Sequence, residues 1–154
     1  MSMFNSIGFE AEVKCSANKF YRFFKNNITQ LANHFPENYK SIQVIEGLGL
    51  SVGSVRLWIQ ELDGSLITTK ERMVYANDET KSITWSFLEG PVTNIHPTFQ
   101  IKLLSVTPTR EGVCMAKWAV NFDNIGGDSP IPSAFIDSIR MVSAELPSRL
   151  LAER

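Results

Sequence analysis

Two cysteines, two histidines and no surplus of either charge set the first limits on this 154-residue chain. Cys15 and Cys114 have neither CxxC spacing nor a disulfide-rich context. They read as reduced thiols, packed as small apolar residues in a cytosolic protein. His34 and His96 are far apart and no HExxH occurs, so no metal is expected. Fifteen Lys and Arg against sixteen Asp and Glu leave a net charge of -1, with no long basic run. That excludes the electrostatic footprint of a nucleic-acid partner and gives an anionic membrane little to attract. No apolar run approaches the ~20 residues that cross a bilayer. The opening "MSMFNSIGFEAEVKC" lacks the basic and continuous apolar regions of a secretory signal. GxSxG is absent and Cys114 has no evident histidine partner, so nucleophilic triads fit poorly.

What remains is a composition with 44% hydrophobic and 20% charged residues, suited to one core in a single domain spanning 1–154. Ile7, Phe9, Ala11 and Val13 alternate with Glu10, Glu12 and Lys14, the period of a half-buried strand. Ser16 stands at an N-cap position before "ANKFYRFFK", where Phe20, Phe23 and Phe24 share a helical face. "ITQLANHF" repeats that pattern until Pro36 stops it, so two short helices in a V are expected. Six strand-like runs follow, at roughly 39–46, 53–61, 65–76, 81–89, 95–106 and 112–122. Asp63-Gly64, Asn77-Asp78 and Glu111-Gly112 supply turns between them. Successive hairpins make an antiparallel meander rather than a parallel sheet. The loop "NIGGDSPIPS" leads to a helix beginning near Pro132 or Ser133, with Phe135, Ile139, Val142 and Leu146 on one stripe. Pro147 should end that helix near Leu146 or kink it. One long helix across a curved sheet closes it only partly and leaves room between them.

Gly47, Gly49 and Gly53 in "EGLGLSVGSV" raise the question of a phosphate loop. A Walker loop needs Lys before Ser or Thr at its end, and a dinucleotide loop needs GxGxxG opening a helix. Neither is present, and strand-like residues follow. A tight turn at the lip of the cavity is the reading that remains.

"SANKFYRFFKN", "EGLGLSVGSVRLW", "LDGSLITTKERMVYANDETKSITWSFLEG" and "GVCMAKWAVNFDN" resemble, in the same order, the major latex protein branch of the plant Bet v I superfamily, over about residues 7 to 150. The resemblance implies an α+β helix-grip fold: seven curved antiparallel strands around a long C-terminal helix, two short helices at one end, and an internal apolar cavity. It also implies a small hydrophobic metabolite as partner, no metal or organic cofactor, and a monomer or weak homodimer in the cytoplasm. Leu48 replaces a usual acidic residue and Leu50 a usual glycine of the family loop. The gate-and-latch sequence of the related hormone receptors is missing, since the turn reads "LEGP".

Strand parity supplies a lining. Ile83, Trp85 and Phe87 share one face, as do Phe99, Ile101 and Leu103, and Ala116, Trp118, Val120 and Phe122. The helix adds Phe135, Ser138, Ile139 and Val142. Phe9, Leu31, His34 and Leu57 complete the expected ligand-binding set. Three residues are candidates for proton transfer. His96 could act as acid or base near neutral pH, although alternation places it with Gln100 toward solvent unless Pro97 shifts the register. In "TTKERMVYAND" at least one charge of Lys70, Glu71 and Arg72 must face inward in a regular strand. Odd parity groups Glu71 with Met73 and Tyr75; an inward charge then needs a partner. Tyr75 with Glu71 would offer a donor and a base to a bound carbonyl.

The resemblance, with this lining, implies two main functions, beside a regulatory or receptor-like role in which the lips of the pocket change shape on binding. One is a specialised-metabolism protein that binds a small apolar metabolite and directs cyclisation or isomerisation of a reactive monoterpenoid, iridoid or alkaloid intermediate. The alternative is a non-catalytic carrier or store of hydrophobic ligands in defence or stress.

Overall fold

The structure is a computed structural model that describes residues 4–123 and 131–152. The alternating N-terminal segment is strand β1 (Phe4–Val13). Helix α1 (Ala17–Asn26) begins where Ser16 Oγ accepts from the Lys19 amide at 3.2 Å, the cap its sequence announces. A single 3-10 turn (Ile28–Gln30) leads into α2 (Leu31–His34). The remaining strands are β2 (Tyr39–Glu46), β3 (Val55–Leu62), β4 (Ser65–Asn77), β5 (Ser82–Glu89), β6 (Phe99–Arg110) and β7 (Val113–Asp123).

All seven strands form one antiparallel sheet in the order β1-β7-β6-β5-β4-β3-β2. Because β1 and β2 are its two edges, the α1–α2 segment that joins them runs across one end. Each hairpin is local, as the turn residues require; Leu62 and Ser65 face each other around Asp63-Gly64. Register shifts in β2, β4 and β6 insert extra residues that bend the strands. The concave face receives Phe20 and Phe24 of α1. The Phe24 ring lies 5.3 Å from Trp118 and 6.2 Å from Trp85, edge contacts of about 0.5–1.5 kcal/mol each beyond buried area.

Two elements differ from the sequence-based expectation. The fifth run does not begin at residue 95. Pro91–Ile95 form a short helix, α3, with Pro91 at its first position, where the missing N–H costs nothing. Strand β6 therefore starts only at Phe99. The last helix, α4 (Ile131–Ala152), does not end near Leu146 but continues through Pro147. Tertiary contacts beyond the proline hold it. Arg149 donates to the His34 carbonyl at 2.6 Å and to Glu37 Oε1 at 2.6 Å, and its guanidinium sits 4.2 Å from the centre of the Phe35 ring. These contacts, with Leu146 and Pro147 buried, offset the lost helical hydrogen bond. Most of the expected loop "NIGGDSPIPS" (124–130) lies outside the described residues. No helix among the described residues is long and apolar enough to cross a membrane.

Candidate functional site

Between the concave sheet, α1–α2 and α4 lies an internal cavity of about 80 Å³. An apolar cavity of ~150 Å³ holds a benzene ring. This space therefore takes one small group as it stands, and a ten-carbon skeleton enters only if lining rings turn.

The wall is built strand by strand. β3 contributes Trp58 and Gln60, β4 Thr69 and Glu71, β5 Trp85 and Phe87, β6 Ile101, and β7 Trp118. Phe24, Ile28, Leu31 and Tyr39 close the end near the short helices, and Phe135, Ser138, Ile139 and Val142 of α4 form the roof. All three tryptophans of the chain are in this wall. Trp85 and Trp118 stack at 6.3 Å with planes 19° apart. Burial pushes the Tyr39 phenol well above its ordinary range, so that hydroxyl stays protonated.

The one carboxylate among the described wall residues is Glu71. Its Oε1 accepts from Arg56 Nε and from Trp58 Nε1, the latter at 3.0 Å. Arg56 faces Glu71 across the ladder, and Trp58 faces Thr69. Both members of the ion pair are buried. Arg56 Nη1 also donates to the Gly49 carbonyl at 3.3 Å, and the Gly49 amide donates to Ser54 Oγ at 2.9 Å. This settles the role of the glycine segment: it folds back as a cap over the buried guanidinium. Gly49 has φ +87°, and a Cβ there would lie 2.7 Å from Val44 Cγ2, so only glycine fits.

Of the expected ligand-binding residues, Leu31, Trp85, Phe87, Ile101, Trp118, Phe135, Ser138, Ile139 and Val142 stand in the wall, together with the acid–base candidate Glu71. The other expected residues lie elsewhere. Phe9 is buried beneath the Arg140 guanidinium, 4.6 Å from its ring centre. Phe99 is core, packed on Phe87 and Phe135 at 5.0 and 5.2 Å. His34 is buried beside Phe23 at 5.8 Å. Leu57 is on the convex face, since β3 turns Arg56, Trp58 and Gln60 inward instead. Tyr75 is 48% exposed. The register shift between Met73 and Tyr75 reverses the parity that would have grouped it with Glu71, and Ala76 takes the inward position. His96 does not reach the cavity and is not turned to solvent; it is buried in the packing of its own loop. It caps α3, donates from Nδ1 to the Asp123 carbonyl at 2.8 Å, and packs 5.1 Å from Phe122.

Phe24, Ile28, Tyr39, Trp58, Gln60 and Thr69 line the cavity without having been expected there, and neither was the buried Arg56 behind Glu71. The alternative parity of β3 offers Val55, Leu57 and Ile59, which hydropathy prefers as an inward set. The signal that could have found the true face is the opposite charge of Arg56 and Glu71, which a hairpin about Asp63-Gly64 brings face to face.

No group of three or more metal-binding side chains occurs among the described residues. The model of the pathogenesis-related protein Bet v 1 family matches residues 2–153. Major latex protein 146 of Papaver somniferum is 32% identical over 144 residues, 93% of this chain and 89% of that one. The crystal structure of ginseng major latex-like protein 151 from Panax ginseng superposes with a TM-score of 0.81 at 21% identity, covering 97% of each chain. Norcoclaurine synthase from Thalictrum flavum, in complex with dopamine and hydroxybenzaldehyde, superposes with a TM-score of 0.70 at 18% identity, covering 92% of this chain and 87% of that one.

Proposed function

Because the chain belongs to the pathogenesis-related protein Bet v 1 family, we propose that it binds a small, mostly apolar metabolite in the cavity under α4 and directs cyclisation or isomerisation of a reactive intermediate held there. The observation that carries this reading is the wall itself: aromatic and aliphatic on nearly every side, with one buried carboxylate. Such a site supplies orientation and a dry environment, and Glu71 is the residue to which this reading assigns proton transfer. The shared fold with a synthase that holds two small aromatic molecules supports the same reading. Both cysteines are free thiols, which suits the cytoplasm.

One observation favours a carrier without catalysis. Of the three acid–base candidates, only Glu71 reaches the wall, and it is tied to Arg56. The experiment that decides is to mix the purified protein with reactive dialdehydes and with alkaloid intermediates and analyse the products. Altered product ratios, lost when Val142→Phe fills the cavity, support the enzyme. Unchanged rate and stereochemistry in every case, with apolar ligands still bound, leave the carrier.

A further inference from the structure

The polar atoms of the wall are not all used by the protein. Glu71 Oε1 receives two donors, whereas Glu71 Oε2 is buried with no hydrogen-bond partner among the described residues. The same holds for Thr69 Oγ1, for the indole nitrogens of Trp85 and Trp118, and for Nη2 of the Arg56 guanidinium, whose residue does not itself line the cavity. Glu71 and Thr69 are 2% and 3% exposed, so bulk water does not serve them. A buried polar atom without a partner is destabilising, and Glu71 Oε2, Thr69 Oγ1 and the two indole nitrogens belong to residues that line one cavity, alongside Tyr39, Gln60 and Ser138.

Their placement defines a complementary group. Thr69 and Glu71 are two residues apart on the inner face of β4, roughly 7 Å along the strand, and reach the cavity side by side. Trp85 stands diagonally across, opposite Met73 on β5. A carboxylate oxygen only accepts and an indole N–H only donates, while the threonine hydroxyl does both. A hydrocarbon satisfies none of these atoms, and a ketone or ether leaves Glu71 Oε2 unserved. An ammonium would have to sit beside the Arg56 guanidinium. A hydroxyl donates and accepts at once without adding charge.

We propose that the cavity selects an alcohol: an apolar ligand whose hydroxyl donates to Glu71 Oε2 and accepts from Thr69 Oγ1, with the Trp85 and Trp118 N–H groups facing any further oxygen on the same skeleton. Arg56 and Trp58 are positioning residues in this arrangement, since they occupy Oε1 and leave Oε2 to the ligand. The inference rests on the cavity being a ligand site, as proposed above.

Calorimetric titration with menthol, menthone and p-menthane tests it, because the three share a carbon skeleton and differ in hydrogen-bonding capacity. The full chain should bind menthol about tenfold more tightly than p-menthane, the effect of one charge-assisted hydrogen bond, with menthone between them. Thr69→Val, which keeps the side-chain shape, and the double variant Arg56→Met with Glu71→Leu, which leaves no unpaired ion, should both narrow that difference while still binding p-menthane. Equal binding of all three probes, abolished by Val142→Phe, overturns the inference and leaves the cavity reading standing. A menthol preference unchanged in both variants overturns it too. If none of the three binds the full chain, the inference falls, and titration with benzene, which matches the size of the cavity more nearly, decides whether the cavity reading falls with it.

Discussion

Arg56 and Glu71 face one another across the β3–β4 ladder, their side chains 0% and 3% exposed, with the guanidinium Nε on the carboxylate. This pair links the glycine segment, the sheet and the cavity wall. Removing one partner leaves the other buried and unpaired, so Arg56→Met alone should destabilise the protein by about 3–5 kcal/mol. Replacing both, with Arg56→Met and Glu71→Leu, should cost far less, because the desolvation of two ions disappears with them. Urea unfolding of both variants checks this. A double variant as unstable as the single one would show that the pair itself, rather than the orphaned ion, governs stability.

Gly90 has φ +140°, and a Cβ there would approach the Thr68 carbonyl at 3.1 Å and Thr69 Oγ1 at 3.2 Å. Gly90→Ala should therefore cost about 1–3 kcal/mol through strain and displace Thr69, which lines the cavity. Gly64→Ala is the comparison: its φ is +80° and nothing lies within 4 Å, so it carries a left-handed backbone cost without the clash. Gly90, at φ 140° and ψ 175°, adds the clash to a backbone region open essentially to glycine alone. Denaturation midpoints should rank wild type above Gly64→Ala and Gly64→Ala above Gly90→Ala; equal midpoints for the two variants would contradict the packing argument.

Burial, with a smaller contribution from Cys15, pushes the Cys114 thiol from 9.0 up to about 11. Below pH 9 the thiol is protonated folded and unfolded alike, and its contribution to stability is intact. Between pH 9 and about 11 the unfolded thiol ionises while the folded one holds its proton, so stability falls as pH rises. The raised phenols of Tyr21 and Tyr39 act in the same direction at higher pH. Cys114→Ala should flatten the decline between pH 9 and 10, measured by urea unfolding at each pH. An unchanged slope would assign the decline to other groups.

Much of the fold was legible because local signals and tertiary needs agree. Ser16 caps α1 where its hydroxyl can reach an amide, Asp63-Gly64 turns a hairpin, and Trp85, Phe87 and Trp118 sit on the inner parity of their strands. The failures arise where one residue resets a period. The extra residue between Met73 and Tyr75 turns Tyr75 outward, and no side chain marks that shift in advance. His96 follows a five-residue helix that reads as the start of a strand. The inner face of β3 inverts hydropathy: Arg56, Trp58 and Gln60 face the cavity while Leu57 faces out, since the polar residues have partners across the ladder that a single strand does not reveal. Pro147 is a strong local stop overruled by the Arg149 contacts two residues later.

Trp58, Trp85 and Trp118 all line the space under α4 in which a small apolar molecule is proposed to bind. Their three indole nitrogen–proton resonances, followed as menthol is added to isotope-labelled protein, test that binding most directly. All three should shift together and saturate, while the amides of Lys117 and Glu10 on the convex face stay in place. Three unmoved indole resonances, with shifts confined to that convex face, would contradict the proposed binding.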